Sequence, residues 1–190
     1  MSDKTDEEIA AHVQQGDGES FGLLMERYQQ KITRYARKFL FKNESDIEDI
    51  VQEAFIKAYT NIRGFDVKRR FSPWMYRIAH NEFINAAKKR GREKIAYLDL
   101  DTIFPQPVSP EMADAEVTRT EMRELLEQCL GQLAPKYREP LVLYYFEGMD
   151  YKELSDILQI PVSTVGVRLT RGKSIMKTLV TKIQHDHARE

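Results

Sequence analysis

Basic side chains near the end of the chain form the first group that could bind a charged ligand. The segment from Ser163 to Lys182 carries five cations and no acidic residue: Arg168, Arg171, Lys173, Lys177 and Lys182. A surface helix usually mixes charges so that ion pairs form between residues four apart, whereas contact with phosphates explains a purely basic run directly. We therefore expect one side of this helix to face DNA, with Thr164, Gly166, Val167, Thr170 and Arg171 outermost. A solvated helix with a chance excess of cations is the alternative.

A second group combines aromatic rings with cations. Phe65 and Phe71 flank a short loop, and the surrounding segment is basic, with Arg63, Lys68, Arg69, Arg70, Arg77, Lys88, Lys89, Arg90 and Arg92. Rings that stack on bases, beside cations that follow a backbone, are what single-stranded nucleic acid requires. Asn81 and Asn85 lie one helical turn apart, and each amide could pair with a base edge. Each Asn taken alone could equally be an ordinary solvent-facing residue.

A third group lies on the helix predicted from Asp46 to Ile62. Its apolar stripe comprises Ile47, Val51, Ala54, Phe55, Ala58 and Ile62. The opposite face carries Asp49, Gln52, Glu53 and Ile56, and an outward Ile among polar side chains is typical of a protein interface. A plain solvated face remains the alternative.

Two short helices and a turn are predicted to position the first group. Asp150 and Glu153 form a capping box for the first helix, Pro161 ends it, and Ser163 is the expected N-cap of the second. The inner face of the second helix repeats at helical spacing, with Val165, Leu169, Gly172, Ile175, Met176 and Leu179. This pattern predicts a helix-turn-helix that presents its second helix to DNA.

The rest of the chain is predicted to be all-α, in two small helical domains joined by a linker. Thr5 and Glu8 cap a first helix, a second runs from about Ser20 to Phe41, and Ser45 with Glu48 caps a third. Ser72 and Pro73 open a fourth helix that ends at Gly91. Three prolines and no helical period lie between Ala96 and Pro110. The expected units are residues 1–95, a linker at 96–112, and residues 113–190 with the helix-turn-helix.

Composition limits the class of protein. The 190 residues are 42% hydrophobic with a net charge of −1, and the charges are segregated along the chain. Cys129 is the only cysteine, which excludes disulfides and predicts a buried thiol in a soluble, cytoplasmic protein. No apolar run is long enough to insert into a membrane. The four histidines lack a metal-ligand spacing, and no catalytic or nucleotide-binding motif occurs, so we expect no enzyme activity, cofactor, metal or small-molecule substrate.

Four segments, in order, carry a resemblance to a known family. They are DIEDIVQEAFIKAY at 46–59, FSPWMYRIAHNEFIN at 71–85, LAPKYREPLVLYYFEGMDYKEL at 133–154 and IPVSTVGVRLTRGKSIM at 160–176. Together they resemble the extracytoplasmic-function (ECF) group of the sigma-70 family, sigma factors of bacterial RNA polymerase. The resemblance implies a subunit that directs core polymerase to promoters by melting the −10 element and binding the −35 element. A helix-turn-helix regulator acting as a dimer is the alternative.

The resemblance also implies partners and contact residues. The partners would be promoter DNA, an anti-sigma factor and core polymerase, through the clamp helices of its largest subunit and the flap of its second. Clamp contacts would be Asp46, Asp49, Gln52, Glu53 and Ile56. Contacts with the −10 element would be Phe65, Arg70, Phe71, Asn81, Asn85, Lys88, Lys89, Arg90 and Arg92. Contacts with the −35 element would be Thr164, Gly166, Val167, Arg168, Thr170, Arg171 and Lys173.

One departure from the family pattern affects the last set. Many relatives have a basic residue and then Ser or Thr where this chain has Gly166 and Val167. Hydrogen-bond recognition is therefore weakened there, although Val167 could meet a thymine methyl and Gly166 allows closer backbone approach.

Overall fold

The computed structural model describes residues 4–40, 43–89 and 119–187. Within these ranges the chain forms eight α-helices and no strand, which confirms the all-α prediction. The first four are α1 (Asp6–Gln14), α2 (Phe21–Leu40), α3 (Glu44–Asn61) and α4 (Phe71–Lys89). The others are α5 (Arg119–Gln132), α6 (Pro135–Tyr145), α7 (Tyr151–Leu158) and α8 (Val162–His187). The predicted linker lies outside the described residues.

Two predicted capping boxes are present. Thr5 and Glu8 exchange side-chain and backbone hydrogen bonds at the start of α1, and Asp150 and Glu153 do so at α7. Each box satisfies backbone N–H groups that have no partner inside the helix. The sequence therefore fixes both helix starts locally.

Three predicted N-caps are wrong by one or two residues. Asn43, not Ser45, caps α3, because its side chain accepts the N–H of Asp46 at 2.9 Å. α4 begins at Phe71, before Ser72, and the Phe71 N–H donates to a Glu7 carboxylate oxygen of α1 at 2.8 Å. Ser163 lies within the first turn of α8, because the Val165 N–H already donates to the carbonyl of Pro161.

The first four helices share one apolar core. Every residue of the predicted α3 stripe is buried, from Ile47 to Ile62, and α3 packs on both α2 and α4. The largest fully buried side chains here include Tyr35, Phe71, Tyr76 and Phe83. Close-packed rings of this size hold α2 and α4 rigidly, and the exposed faces of α3 and α4 are thereby fixed.

The last four helices form the second unit. Gly148, in the turn that follows α6, has a φ of +69° that favours glycine, and Gln159 ends α7 with φ of +54°. Val165, Leu169 and Gly172 of α8 are buried, and Ile175, Met176 and Leu179 pack against the same core. The predicted inner face of the helix-turn-helix is confirmed. Cys129 is buried as expected, and burial raises the pKa of its thiol.

The two units pack together through buried polar contacts. α4 lies against α7, and α2 lies against α5 and α6. Glu147, whose side chain is 1% exposed, accepts two hydrogen bonds from Arg34 at 2.8 and 2.7 Å and one from the Tyr76 hydroxyl at 2.6 Å. Burial and the Glu147 carboxylate raise the pKa of that phenol.

A second buried carboxylate lies at the same interface. Glu139 of α6 is 1% exposed, accepts the Tyr35 hydroxyl of α2, and lies 2.6 Å from Nδ1 of His80 in α4. Lys38 adds an ion pair with Glu127 of α5 at 3.0 Å. Because buried carboxylates need several partners to offset desolvation, these contacts specify how the two units fit together.

Candidate nucleic-acid and protein interfaces

The two aromatic rings that flank the loop before α4 are buried, although the sequence predicted accessible rings. Phe65 is 5% and Phe71 0% exposed, so the expectation that their rings are accessible is wrong. Their ring centroids lie 5.4 Å apart, and each is within 5.4 Å of the Trp74 centroid. The aromatic cluster of Phe65, Phe71 and Trp74 thus anchors the loop and offers no free stacking surface at Phe65 or Phe71. Residues 66–70 at the loop tip are exposed.

α1 holds this loop in place, which the sequence analysis missed. The Gln14 side-chain amide donates to the carbonyls of Ile62 and Phe65 at 2.8 and 2.7 Å. Glu7 accepts the Phe71 N–H at the other end of the loop. A glutamine 48 residues away from its partner in sequence gives no local signal, so only the tertiary structure could identify it as a positioning residue.

One face of α4 carries a row of exposed polar side chains, as helical spacing predicts. Arg77, Asn81 and Asn85 are all exposed and follow one another at four-residue spacing, which places them on one face of the helix. Lys88 and Lys89 end α4, whereas Arg90 and Arg92 lie outside the described residues. The amide row can therefore reach an external ligand without any change in the core.

Arg70 is engaged by the second unit. Its guanidinium forms an ion pair with Glu153 of α7, although 71% of the Arg70 side chain is exposed. Glu153 is itself part of the α7 capping box. A cation predicted to contact nucleic acid is thus held by the helix-turn-helix when the two units are packed.

α3 presents the predicted polar stripe to solvent. Asp49, Gln52 and Glu53 are exposed and Asp46 is half-buried, while Ile56 is 49% exposed. Their spacing of three and four residues places Asp49, Gln52, Glu53 and Ile56 side by side. The exposure of the Ile is confirmed, and an apolar centre with a polar rim is suited to a protein partner.

The outer face of α8 borders a shallow hollow of about 470 Å³. Thr164, Val167, Arg168 and Arg171 line it from α8, and Lys136 lines it from α6. Thr170 and Lys173 are exposed elsewhere on the helix. The hollow combines three cations with two exposed apolar side chains, Val167 and Pro161, a composition suited to the phosphates and base edges of a DNA groove.

Comparison with known proteins identifies the family. Residues 24–93 match the family described as Sigma-70 region 2, and residues 123–176 match Sigma-70, region 4. The ECF RNA polymerase sigma factor SigW of Bacillus subtilis is 35% identical, over 87% of this chain and 91% of its own. The chain is an ECF sigma factor of the sigma-70 family. The ECF sigma-E factor of Haemophilus influenzae is 31% identical over 93% of this sigma factor and 95% of its own length.

Solved structures agree with this assignment. CnrH, in complex with the cytosolic domain of CnrY, is 25% identical to the sigma factor, with a TM-score of 0.71 over 94% of this chain and 99% of that one. RpoE of Bartonella quintana, in complex with the anti-sigma factor NepR, has the same fold at 22% identity, with a TM-score of 0.64 over 85% of this chain and 96% of that one. None of these likenesses supports the dimeric regulator. In the described part of the sigma factor, no helix has the length and apolar character needed to cross a membrane.

Proposed function

We propose that this RNA polymerase sigma factor uses three separate surfaces to start transcription at its promoters. The exposed stripe of α3 binds core polymerase, α4 with its preceding loop binds the −10 element, and α8 binds the −35 element. The observation that carries the proposal is that the amide row of α4 and the basic face of α8 are exposed on different units. Two dissimilar promoter elements can then be recognised by one monomer, without the two-fold symmetry of a dimeric regulator.

The exposed stripe of α3 docks on the clamp helices of the largest polymerase subunit. Asp46, Asp49, Gln52 and Glu53 supply the polar rim, and Ile56 supplies the apolar contact. An exposed Ile surrounded by polar side chains becomes a favourable contact once a partner excludes water from it. The resemblance to the family supports the clamp helices as the partner, and the exposure of Ile56 supports its role as the apolar contact.

α4 and the loop tip hold the melted −10 element. Asn81 and Asn85 offer donor and acceptor atoms to the edge of a base extruded from the strand. The exposed residues 66–70 shape the adjacent pocket, with Arg70 released from Glu153 to contact phosphate. Lys88, Lys89, Arg90 and Arg92 extend the phosphate contacts beyond α4. Phe65 and Phe71 act indirectly, because their buried rings fix the loop.

α8 enters the major groove at the −35 element. Arg168, Arg171 and Lys173 contact phosphates, and Thr164, Gly166, Val167 and Thr170 lie toward the base edges. The absence of acidic residues between Val162 and Gln184 supports this orientation, because an acidic side chain would be repelled by the backbone phosphates.

Further partners follow from the family. We assign residues 1–95 to the −10 and clamp contacts, 96–112 to the linker, and 113–190 to the −35 element and the flap of the second subunit. CnrH and RpoE were solved in complexes with CnrY and NepR, which supports an anti-sigma factor for this chain. The protein works with polymerase in the cytoplasm and has no enzymatic activity or small-molecule substrate of its own.

Run-off transcription from a promoter library tests the proposal. Bacterial core polymerase is assayed with and without the protein, and the initiated sequences are recovered. We expect specific initiation only when the protein is added, with two separated conserved elements upstream of the start. Absence of initiation, combined with binding of the protein alone to a palindromic duplex, would contradict the proposal.

A further inference from the structure

We infer that this sigma factor recognises a thymine methyl group in the −35 element through Val167, at a point where the backbone at Gly166 closely approaches the bases. The inference names the base that α8 selects and rests on the proposed function of that helix. It depends on two independent features of adjacent residues: an exposed apolar side chain and a glycine that the fold does not need.

Val167 lies in a hollow that is lined both by cations and by apolar side chains, among them Ile160 and Pro161. It is 46% exposed and lines the hollow together with Thr164, Arg168, Arg171 and Lys136. The cations can fix the helix against phosphates on either side of a groove, which leaves the Val methyl groups between them directed at the bases. A single exposed valine is common on protein surfaces, so its position within a basic hollow is what distinguishes it.

Gly166 supplies the second feature. A Cβ atom built at this residue would meet only the Tyr151 ring, at an ordinary contact distance of 3.6 Å. At Gly172, by contrast, a Cβ atom would lie 3.0 Å from Leu141 Cδ1 and 3.2 Å from the Tyr137 carbonyl oxygen. A side chain at position 172 would therefore have to displace its neighbours, whereas a Cβ atom at position 166 fits without displacement.

A glycine inside a helix lowers stability relative to alanine. Since the fold gains nothing from it at position 166, the advantage lies outside the protein, in close approach of a ligand to the backbone. In the major groove only thymine presents an apolar group, its C5 methyl, whereas the other bases present donors and acceptors that a valine would leave unpaired. The pair Gly166 and Val167 thus favours thymine over the remaining bases.

Replacement of single thymines by deoxyuridine tests this contact, because it removes one methyl group and nothing else. The holoenzyme is assembled from the full chain and core polymerase, and the −35 element found in the promoter library is substituted one thymine at a time. We expect one position at which deoxyuridine weakens open-complex formation about fourfold, the effect of burying one methyl group. Sensitivity at no position would overturn the inference.

The matched variants Val167→Ser and Val162→Ser identify the side chain responsible. Both valines lie on α8 with nearly equal exposure, 46% and 47%, but their side chains point roughly 140° apart around the helix. We expect Val167→Ser to abolish the difference between thymine and deoxyuridine, and Val162→Ser to preserve it. A difference that survives in Val167→Ser assigns the methyl contact to another residue and overturns the inference.

The Gly166→Ala variant shows whether glycine at position 166 is needed for DNA binding or for folding. We expect the free variant to unfold at a higher temperature while its holoenzyme binds the promoter several-fold more weakly. Gly22→Ala, on α2 where a Cβ atom meets nothing within 4 Å, should leave promoter binding unchanged. Full promoter affinity in Gly166→Ala overturns the close approach. If initiation requires no −35 element at all, the proposed function of α8 fails as well, so the two failures are distinguishable.

Discussion

Asn81 carries an amide that can donate and accept hydrogen bonds in one plane. It is exposed on α4, one turn before Asn85 and on the same face as Arg77. Its helix is held from behind by buried Tyr76 and Phe83. A side chain on a rigid helix keeps its position when a ligand arrives, which favours selectivity for one base over general affinity.

Asn81→Ala should change selectivity at one position of the −10 element. The expected loss is about 1–3 kcal/mol for the preferred base at that position, because a paired base edge would lose its partner. Transcription from promoters that vary at each −10 position measures it. Binding to core polymerase should be unchanged, and Gln30→Ala, an exposed amide on α2, is the control. An equal loss on all promoters would count against base recognition.

Single residues show what periodicity can and cannot predict. The exposure of Asn81, Asn85 and Ile56 follows from helical spacing, since one face of each helix must be buried. The burial of Phe65 does not, because it depends on Trp74 and on hydrogen bonds from Gln14 in α1. The hydrogen bond from Gln14 joins residues 51 positions apart, which helical spacing cannot predict.

At the scale of elements, α3 presents one face to the core and the other to solvent. Its inner stripe is buried without exception, so changes on the outer stripe should leave the fold intact. Lys57 of α3 also pairs with Glu82 of α4 at 2.7 Å. The helix is thus a rigid support for whatever binds Asp49, Glu53 and Ile56.

Ile56→Glu should abolish holoenzyme formation without unfolding the protein. The substitution places a charge at the apolar centre of the proposed interface, where it would be desolvated beside Asp49 and Glu53. Gel filtration with core polymerase measures assembly, and circular dichroism measures the fold. Met25→Glu, at an apolar residue of α2 that is 39% exposed, should assemble normally. Unchanged affinity of Ile56→Glu for core would refute the assignment.

The start of α7 offers a test of local stability. Asp150 accepts the N–H groups of Lys152 and Glu153, both at 2.8 Å. Asp150→Ala should therefore lower the free energy of unfolding of the helix-turn-helix by about 1 kcal/mol, measured by urea titration. Asp156→Ala removes an exposed carboxylate of the same helix that is not its cap. Equal effects of the two changes would show that charge, and not capping, is responsible.

Helix ends divide into those the sequence predicts and those it does not. Capping boxes have a fixed spacing, and two of the three predicted boxes are present, at α1 and α7, whereas the box predicted at Ser45 and Glu48 is replaced by a cap at Asn43. The end of α7 depends on Gln159 in a left-handed conformation, which is uncommon for residues other than glycine and gives no compositional signal. The start of α4 depends on a carboxylate from α1, a contact that no local pattern encodes.

At the scale of the whole molecule, two buried carboxylates join the units. Glu139 and Glu147 come from the second unit, and their partners Tyr35, His80 and Arg34 come from the first. The helical patterns on either side of the proline-containing stretch between Ala96 and Pro110 predicted two helical units, but the pairing of these groups requires the assembled structure. Each carboxylate is isolated in sequence from its partners by more than fifty residues.

Glu147→Ala should loosen the packing of the two units. It leaves the buried Tyr76 hydroxyl and the partly exposed Arg34 guanidinium without their acceptor, at an expected cost of about 1–3 kcal/mol. Urea unfolding measures the cost, and small-angle X-ray scattering should show a larger radius of gyration. Glu44→Ala breaks an ion pair with Arg37 in which both side chains are 55% exposed, and it should change stability by no more than about 0.5 kcal/mol. A compact, fully stable Glu147→Ala protein would show that the interface does not depend on this carboxylate.

The packing of α4 against α7 limits the distance between the two proposed DNA-binding helices, α4 and α8. Packed helices lie about 8–10 Å apart, and α8 packs directly on α7, so the two proposed DNA-binding helices are separated by roughly the width of two helices. Promoter elements centred about 25 base pairs apart are separated by roughly 85 Å of duplex. A sigma factor that keeps this packing can touch one element but cannot bridge both. On the proposed function, engaging a whole promoter therefore requires the units to part, and the contacts between them, the Arg34–Glu147 pair included, would have to break when core polymerase and DNA bind.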